Sequence, residues 1–240
     1  MSQVPDYRAE FTRASIVDTL KMRVADAKPI LAVGASAGIT AAAAEAAGAD
    51  LVVVCAAGRA RLRGIPTYQA DNDNSGTLQM YAEIANVVDR TPLIGGVNAT
   101  DPTYRRLPEL VDRFQNAGFD GVINSPSVGA HPGELAYLRS HVGLGFDREI
   151  RLIEEAHKRD LLSVIKVYEP AQAALASEAG ADVIVLHAHW TATGRPTPYH
   201  LLERSMDEAI DWLVEMKGSI TSDAVVLYEG RPAMTPAESG

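Results

Sequence analysis

The chain has 240 residues, 47% of them hydrophobic, enough for one substantial core and short of two ordinary enzyme domains. Its formal net charge is −9 and no block of lysine and arginine stands out, which argues against a nucleic-acid or anionic-membrane surface and in favour of small molecules or proteins as partners. The opening MSQVPDYRAEFTRAS carries charge where a secretory leader needs an apolar stretch, and the longest apolar runs are of strand length, so a cytoplasmic protein without a membrane segment is expected.

In chain order, a helix over 12–26, finished by residue 27, precedes a strand over 29–34 and a helix over 37–47. Strand 50–56 contains the single cysteine, Cys55, inside LVVVCAA, where it reads as a small buried side chain. Helix 76–89 and strand 92–97 follow, then helix 103–117 and strand 120–124, helix 147–159 and strand 161–167. The series closes with helix 170–179, strand 182–188, helix 204–217 and strand 224–229. The strands are continuous apolar runs, not alternating ones, so both faces are expected to be covered, as in a parallel α/β sheet.

Three junctions look alike: EAAGADLVVV (45–54), NAGFDGVIN (116–124) and SEAGADVIVL (177–186). In each, a helix stops at a glycine, one residue intervenes, an aspartate follows, and an apolar β-prone run begins. The glycine takes the left-handed conformation that ends a helix, and the short loop feeds a buried strand.

Strict alternation of helix and strand leaves a TIM barrel or a doubly wound sheet. GASAG (34–38) has the wrong spacing for a dinucleotide fingerprint. Polar or glycine residues end nearly every strand: Ser36, Arg59, Asn98 and Asp101, Asn124 and Ser127, Tyr168 and Glu169, His187 and His189, Glu229 and Arg231. A ring of such residues at many carboxyl ends is how a barrel builds a site, so the fold expected is a single TIM (β/α)8-type barrel over 1–240. Seven strands are visible and only RPAMTPAESG follows the last one, so the eighth βα unit is missing or truncated, hidden within 57–90, or supplied by a partner in a homo-oligomer.

Several stretches carry a family resemblance: KPILAVGASAGITAAAAEAAGADLVVV, TPLIGGVNATDP, GFDGVINSPSVG, HVGLGFDREIRLIEEA and AGADVIVLHAHWT. In this order they resemble the phosphoenolpyruvate hydrolase family of TIM-barrel proteins, part of the phosphoenolpyruvate/pyruvate barrel group, over roughly residues 12–236. The chain departs from the family at Cys55-Ala56-Ala57-Gly58-Arg59, which keeps only the glycine and arginine of a tyrosine-asparagine-serine-glycine-arginine run. It departs again at His187-Ala188-His189-Trp190-Thr191, in place of a His-Met-Gly-Leu-Thr stretch, and at Glu229-Gly230-Arg231-Pro232, in place of His-Gly-Gly-Pro.

The resemblance implies a hydrolase or lyase acting on a small 2-oxo acid or enolpyruvate-type carboxylate, with a phosphorylated substrate also in reach. The alternative is a catalytically silent ligand-binding or regulatory barrel. Catalytic candidates are His187, at the family-matched position for proton transfer; Arg59, whose planar guanidinium suits a carboxylate or phosphate; and Glu229, at the end of the seventh strand. Substrate-binding candidates are Gly34 and Ser36 in GASAG, Asn98, Asn124, Ser127, His189 and Thr191. His187 and His189 share one side of an extended strand, but two histidines at this spacing lack a third zinc ligand. An oxygen-ligated Mg²⁺ is the expected cofactor, with Asp101 its candidate ligand, although Asp101 also precedes a helix, where N-capping is the ordinary explanation.

Overall fold

A computed structural model describes residues 8–64, 73–131, 133–187 and 205–229. The helix α1 (Arg13–Ala25) leads into β1 (Ala32–Ala35), α2 (Gly38–Ala46), β2 (Leu51–Val54), α3 (Ala56–Leu62), α4 (Asp73–Ala85), β3 (Leu93–Val97) and α5 (Leu107–Ala117). There follow β4 (Gly121–Asn124), α6 (Gly133–His141), α7 (Phe146–His157), β5 (Leu162–Val167), α8 (Pro170–Glu178), β6 (Val183–His187), α9 (Met206–Gly218) and β7 (Val225–Glu229). All seven expected strands are present, and they pair in parallel in sequence order from β1 to β7. The curled seven-stranded sheet with helices outside is the TIM-type barrel expected, and among the described residues β1 and β7 are its two edges. Two helices were not read from the sequence, α3 directly after β2 and α6 within the long connection after β4; no eighth strand lies among the described residues. None of the described helices is long and apolar enough to cross a membrane.

Alternation along the strands sorts the core into two faces. Leu51, Ile94, Ile123, Leu162, Val164, Val183, Val185 and Val225 face inward and pack together with Ile16 and Leu20 of α1, so this helix plugs the lower barrel. Val52, Val54, Leu93, Val97 and Val122 face outward against α2, α4, α5 and α7, and Ile165, Val167, Ile184 and Leu186 against α7, α8 and α9. Apolar residues on both faces are why the strands lack an alternating pattern.

The three recurring junctions fasten the plug. Gly48, Gly118 and Gly180 hold φ of 84°, 102° and 76°, the left-handed turn that stops each preceding helix. The aspartate two residues on then does the same two things each time. One carboxylate oxygen accepts the N–H that opens the neighbouring strand: Asp50 from Leu31 at 2.8 Å, Asp120 from Leu93 at 2.7 Å, Asp182 from Ser163 at 2.9 Å. Each also grips an arginine of the N-terminal segment: Asp50 takes Arg23 Nε at 2.7 Å, Asp120 takes Arg8, and Asp182 takes Arg13 in a two-pronged contact at 2.8 and 2.9 Å. Burial alone would push the Asp182 carboxyl up, yet hydrogen bonds from His157, Arg13 and Ser163 hold it well below the usual carboxylate range.

Asp182→Ala is therefore expected to cost about 3–5 kcal/mol in urea denaturation, because it strands a buried N–H and an arginine together. Arg13→Ala alone should cost about 1.5–3 kcal/mol, the value of hydrogen bonds to a charged group. The folded carboxyl titrates below its unfolded value of about 3.9, so the Asp182 contribution is complete above that pH and fades as pH falls through the lower folded value.

Candidate active site

The inward-facing series continues past the apolar layers to the carboxyl rim. Counting by twos from Leu51 and Val53 reaches Cys55; from Ile94 it reaches Gly96; from Leu162 and Val164 it reaches Lys166. The same count reaches His187 from Val183 and Val185, and Glu229 from Val225 and Leu227. On β1 the inward position at this height is Gly34, which pairs with Val53.

The two walls of this mouth differ. On one side stand Gly34, Cys55 and Gly96. Among the described residues a Cβ on Gly34 would meet no atom within 4 Å, whereas one on Gly96 would come within 2.5 Å of Cys55 Cβ, so glycine is what lets β2 and β3 close up here. On the other side stand Lys166, His187 and Glu229. Lys166 Nζ reaches across β6 to Glu229 Oε2 at 2.8 Å. Burial would raise the Glu229 carboxyl, but the positive charge of Lys166, with help from His187 and Arg61, lowers it to about 2. The His187 ring is 5% exposed and stacks on Tyr168, with centroids 4.9 Å apart. Burial and the nearby charges of Glu229 and Glu149 push the Tyr168 hydroxyl well above its ordinary value. The arrangement sets the Lys166–Glu229 pair and the His187 ring across from a small-residue wall, with the charge of the exposed Arg61 also felt at Glu229, a set suited to binding a carboxylate and moving a proton.

Two of the expected catalytic residues, His187 and Glu229, thus share the mouth, with Gly34 opposite. Arg59 does not join them: its guanidinium donates to Gln79 Oε1 at 3.2 Å on the exposed side of α3 and α4. Arg61, two residues on, is the arginine whose charge acts on Glu229. Ser36 lies under α3, where a Cβ on Gly58 would come within 3.0 Å of it. His189 and Thr191 lie outside the described residues.

Asn124, expected at the mouth, is turned to the outer face, while Ser127, also expected there, lies between Glu149 and the Tyr168 hydroxyl that backs His187. Asn124 pairs with outward-facing Val97, and its side chain bridges β4 to β5 by accepting from Lys166 N at 2.6 Å and donating to Lys166 O at 3.1 Å. It also donates to Glu149 Oε2 at 2.5 Å; Ser127 Oγ donates to the same oxygen at 2.7 Å, and Val128 N donates to Glu149 Oε1 at 2.6 Å. Glu149 is fully buried, and burial outweighs these hydrogen bonds, raising its carboxyl to about 7.

Asp101 is likewise absorbed by its own loop. Oδ1 accepts from Thr103 N at 2.8 Å and Thr103 Oγ1 at 2.6 Å, and Oδ2 accepts from Asn74 Nδ2 at 3.0 Å. Asn98 serves the same loop, its Oδ1 accepting from Thr100 N at 3.2 Å and its N–H donating to Asn74 Oδ1 at 2.9 Å. Arg148 braces the segment from α7 by donating to the carbonyls of Ala99 and Tyr104. Among the described residues no three His, Cys, Asp or Glu side chains converge as a ligand set, Asp101 has both oxygens engaged, and Glu229 is committed to Lys166. Among the described residues these side chains do not form a three-ligand set for a divalent cation.

Lys166, Arg61 and Glu149 were missed by sequence reasoning. For Lys166 the signal was present: a lysine inside the apolar run LLSVIKV, two residues beyond a valine that must point inward. For Glu149 no local signal distinguishes it from the exposed acids of the same helix. A cavity of about 350 Å³ at the opposite end of the barrel is lined by Arg13, Lys21, Asp182 and Asp223, whose charges already pair with one another, so it is a solvated groove beside α1.

The Glu149 carboxyl has an unfolded value near 4.5 and a folded value near 7, so its neutral form stabilises the fold below about pH 4.5 and that contribution is lost as pH rises through 7. Between pH 5 and pH 8 this group should remove about 2–3 kcal/mol, read as a fall in the urea midpoint that is absent in Glu149→Ala protein.

The phosphoenolpyruvate hydrolase-like family model matches residues 15–239. The tomato (Solanum lycopersicum) ToMV susceptible protein tm-1(GCR26) is 34% identical over 236 residues, covering 95% of this chain and 31% of that protein. A putative transcriptional regulatory protein, y4pA, of Sinorhizobium fredii is 30% identical over 245 residues, covering 96% of this chain and 39% of that protein. The chain therefore spans about a third of the length of the curated relatives it matches. Among solved structures, phosphonopyruvate hydrolase in complex with oxalate and Mg²⁺ superposes with a TM-score of 0.61 at 17% identity, covering 95% of this chain and 76% of that one. A 2,3-dimethylmalate lyase of the PEP mutase/isocitrate lyase superfamily superposes with a TM-score of 0.58 at 16% identity, covering 96% and 78%. At these identities the superpositions speak for the barrel alone, and it is the match along nearly the whole sequence that places the chain in the phosphoenolpyruvate hydrolase-like family.

Proposed function

We propose that the barrel mouth is the active site of a hydrolase or lyase that takes a short 2-oxo or enolpyruvate-type carboxylate. The observation that carries this reading is the convergence of Lys166, His187 and Glu229 from three successive strands on one face, opposite the open wall at Gly34. Arg61 holds the substrate carboxylate. Lys166 donates to the oxygen on C2, where negative charge gathers when the neighbouring bond is broken or a proton leaves C3. His187, held by its stack on Tyr168, carries the proton to or from the reacting carbon. Glu229 fixes the lysine and holds the local charge balance as the substrate anion enters.

The relatives' barrels give this reading its substrate class, since one of them is a phosphonopyruvate hydrolase seen with oxalate and Mg²⁺. The resemblance implies Mg²⁺ for this chain too, and the described residues show no set of three ligands for it. A second reading is a binding barrel without turnover. It is favoured by the closed Lys166–Glu229 pair, which a ligand must open, and by the names of the relatives, a viral susceptibility protein and a putative regulator.

Pyruvate, phosphonopyruvate and phosphoenolpyruvate, titrated calorimetrically with and without Mg²⁺ and then assayed for turnover, separate the two. Lys166→Met and Arg61→Ala should each weaken binding at least about tenfold, equivalent to about 1.4 kcal/mol. His187→Gln should leave binding near wild type and lower kcat about 10²-fold or more, as loss of a general acid–base group does. Binding without turnover would move the assignment to the silent barrel, and unchanged kcat in His187→Gln would remove the histidine from the mechanism.

A further inference from the structure

We propose that Lys166 forms a covalent imine with C2 of a 2-oxo acid, which makes it the nucleophile of the site. The inference deepens the reading of the mouth as a 2-oxo acid site and rests on it.

Of the five lysines in the sequence, all within the described residues, four are surface groups. The side chains of Lys21, Lys28 and Lys158 are 41%, 58% and 62% exposed, and Lys217 is exposed on α9. Lys166 is the exception, 15% exposed and pointing into the barrel above the Val164 and Val183 layer. A long flexible cation is costly to bring inside a barrel, and replacing this ion pair by apolar residues is often neutral or stabilising, so a structural role alone is a weak account of it. A primary amine in that position is a well-used covalent catalyst toward carbonyl substrates.

The surroundings match what the reaction needs. The ammonium first gives a proton to solvent at the barrel mouth. The amine lone pair attacks C2, the C–N bond forms, and the carbonyl π pair moves to oxygen, which takes up the second nitrogen proton through solvent as the carbinolamine forms. The His187 imidazolium gives its proton to that hydroxyl and regains the one released to solvent; the hydroxyl leaves as water while the nitrogen lone pair closes the C=N⁺ bond. Overall an ammonium and a 2-oxo acid become a protonated imine and water, with no net proton taken up or released. Charge at the nitrogen is the same before and after, so the Glu229 carboxylate at 2.8 Å faces a cation at the start and at the end of the sequence and holds both the ammonium and the protonated imine. The protonated imine then draws electrons from C3, the task an enolate-stabilising cation would otherwise perform. The small wall at Gly34 leaves space for the substrate on the far side of the amine.

This step also narrows the substrate class. A 2-oxo acid has the carbonyl that an amine attacks; phosphoenolpyruvate, with an enol ester at C2, does not.

The test is reductive trapping of the full chain with pyruvate and sodium borohydride, read by intact mass and peptide mapping, beside calorimetric binding of pyruvate, glyoxylate and 2-oxobutanoate without reductant. The expected result is a single reduced adduct on the peptide containing Lys166. It should be absent with phosphoenolpyruvate and absent in Lys166→Arg protein, which keeps the charge. Mapping in the wild-type chain decides the matter even if that variant does not fold. Saturable binding of pyruvate with no adduct, or with adducts spread over the surface lysines, overturns the imine and leaves the binding site intact. No binding of any of the three 2-oxo acids overturns the site reading and the imine with it.

Discussion

The barrel depends on how its floor is fastened. A curled parallel sheet leaves two problems at its amino-terminal end: strand-opening N–H groups with no partner in the ladder, and an interior layer open to water. The three aspartates that follow a helix-ending glycine meet the first by accepting Leu31, Leu93 and Ser163 N–H groups, and the second by gripping Arg23, Arg8 and Arg13. Held at three points, α1 inserts Ile16 and Leu20 under the inward valines and leucines. The same short motif thus ends a helix, starts a strand and seats the plug.

With the floor filled, the inward positions nearer the carboxyl rim are where chemistry has room. Two polar systems meet there and differ in what they face. One, Glu149 with Asn124 and Ser127 and Asp101 with Asn74 and Thr103, is satisfied by hydrogen bonds among strand ends, loops and the helices α4 and α7. The other, Lys166, His187 and Glu229, faces the mouth, and the charge of Arg61 reaches Glu229. Its ionised state is maintained by mutual pairing, since a half-buried carboxylate at the Glu229 position without Lys166 would lose the charge that offsets its desolvation. The first system is rigid backing for the second: Asn124 bonds both the N–H and the carbonyl of Lys166, so the strand that presents the lysine is pinned from behind.

The sequence by itself determined the order and kind of the main elements. Apolar runs such as LVVV and VIVL, glycine stops at Gly48, Gly118 and Gly180, and the aspartates after them are local signals, and the seven strands appear where they predict. It also marked His187 and Glu229 as polar residues that end apolar runs, a signal that Asn124 shares although it faces outward. The short helices α3 and α6 were not legible, since neither shows a distinct apolar period.

Only the tertiary structure decided which side chains meet. A strand reverses its facing with every residue, so a single step separates Asn124, turned outward beside Val97, from a position in the mouth. On α3 two residues turn the chain by about 200°, which sends Arg59 to Gln79 and leaves Arg61 to act on Glu229. Lys166 and Glu229 are 63 residues apart, from 229 minus 166, and become partners because β5, β6 and β7 lie side by side in register. Periodicity is written residue by residue along the chain, whereas facing and partnership depend on register and crossing, which the whole barrel sets at once.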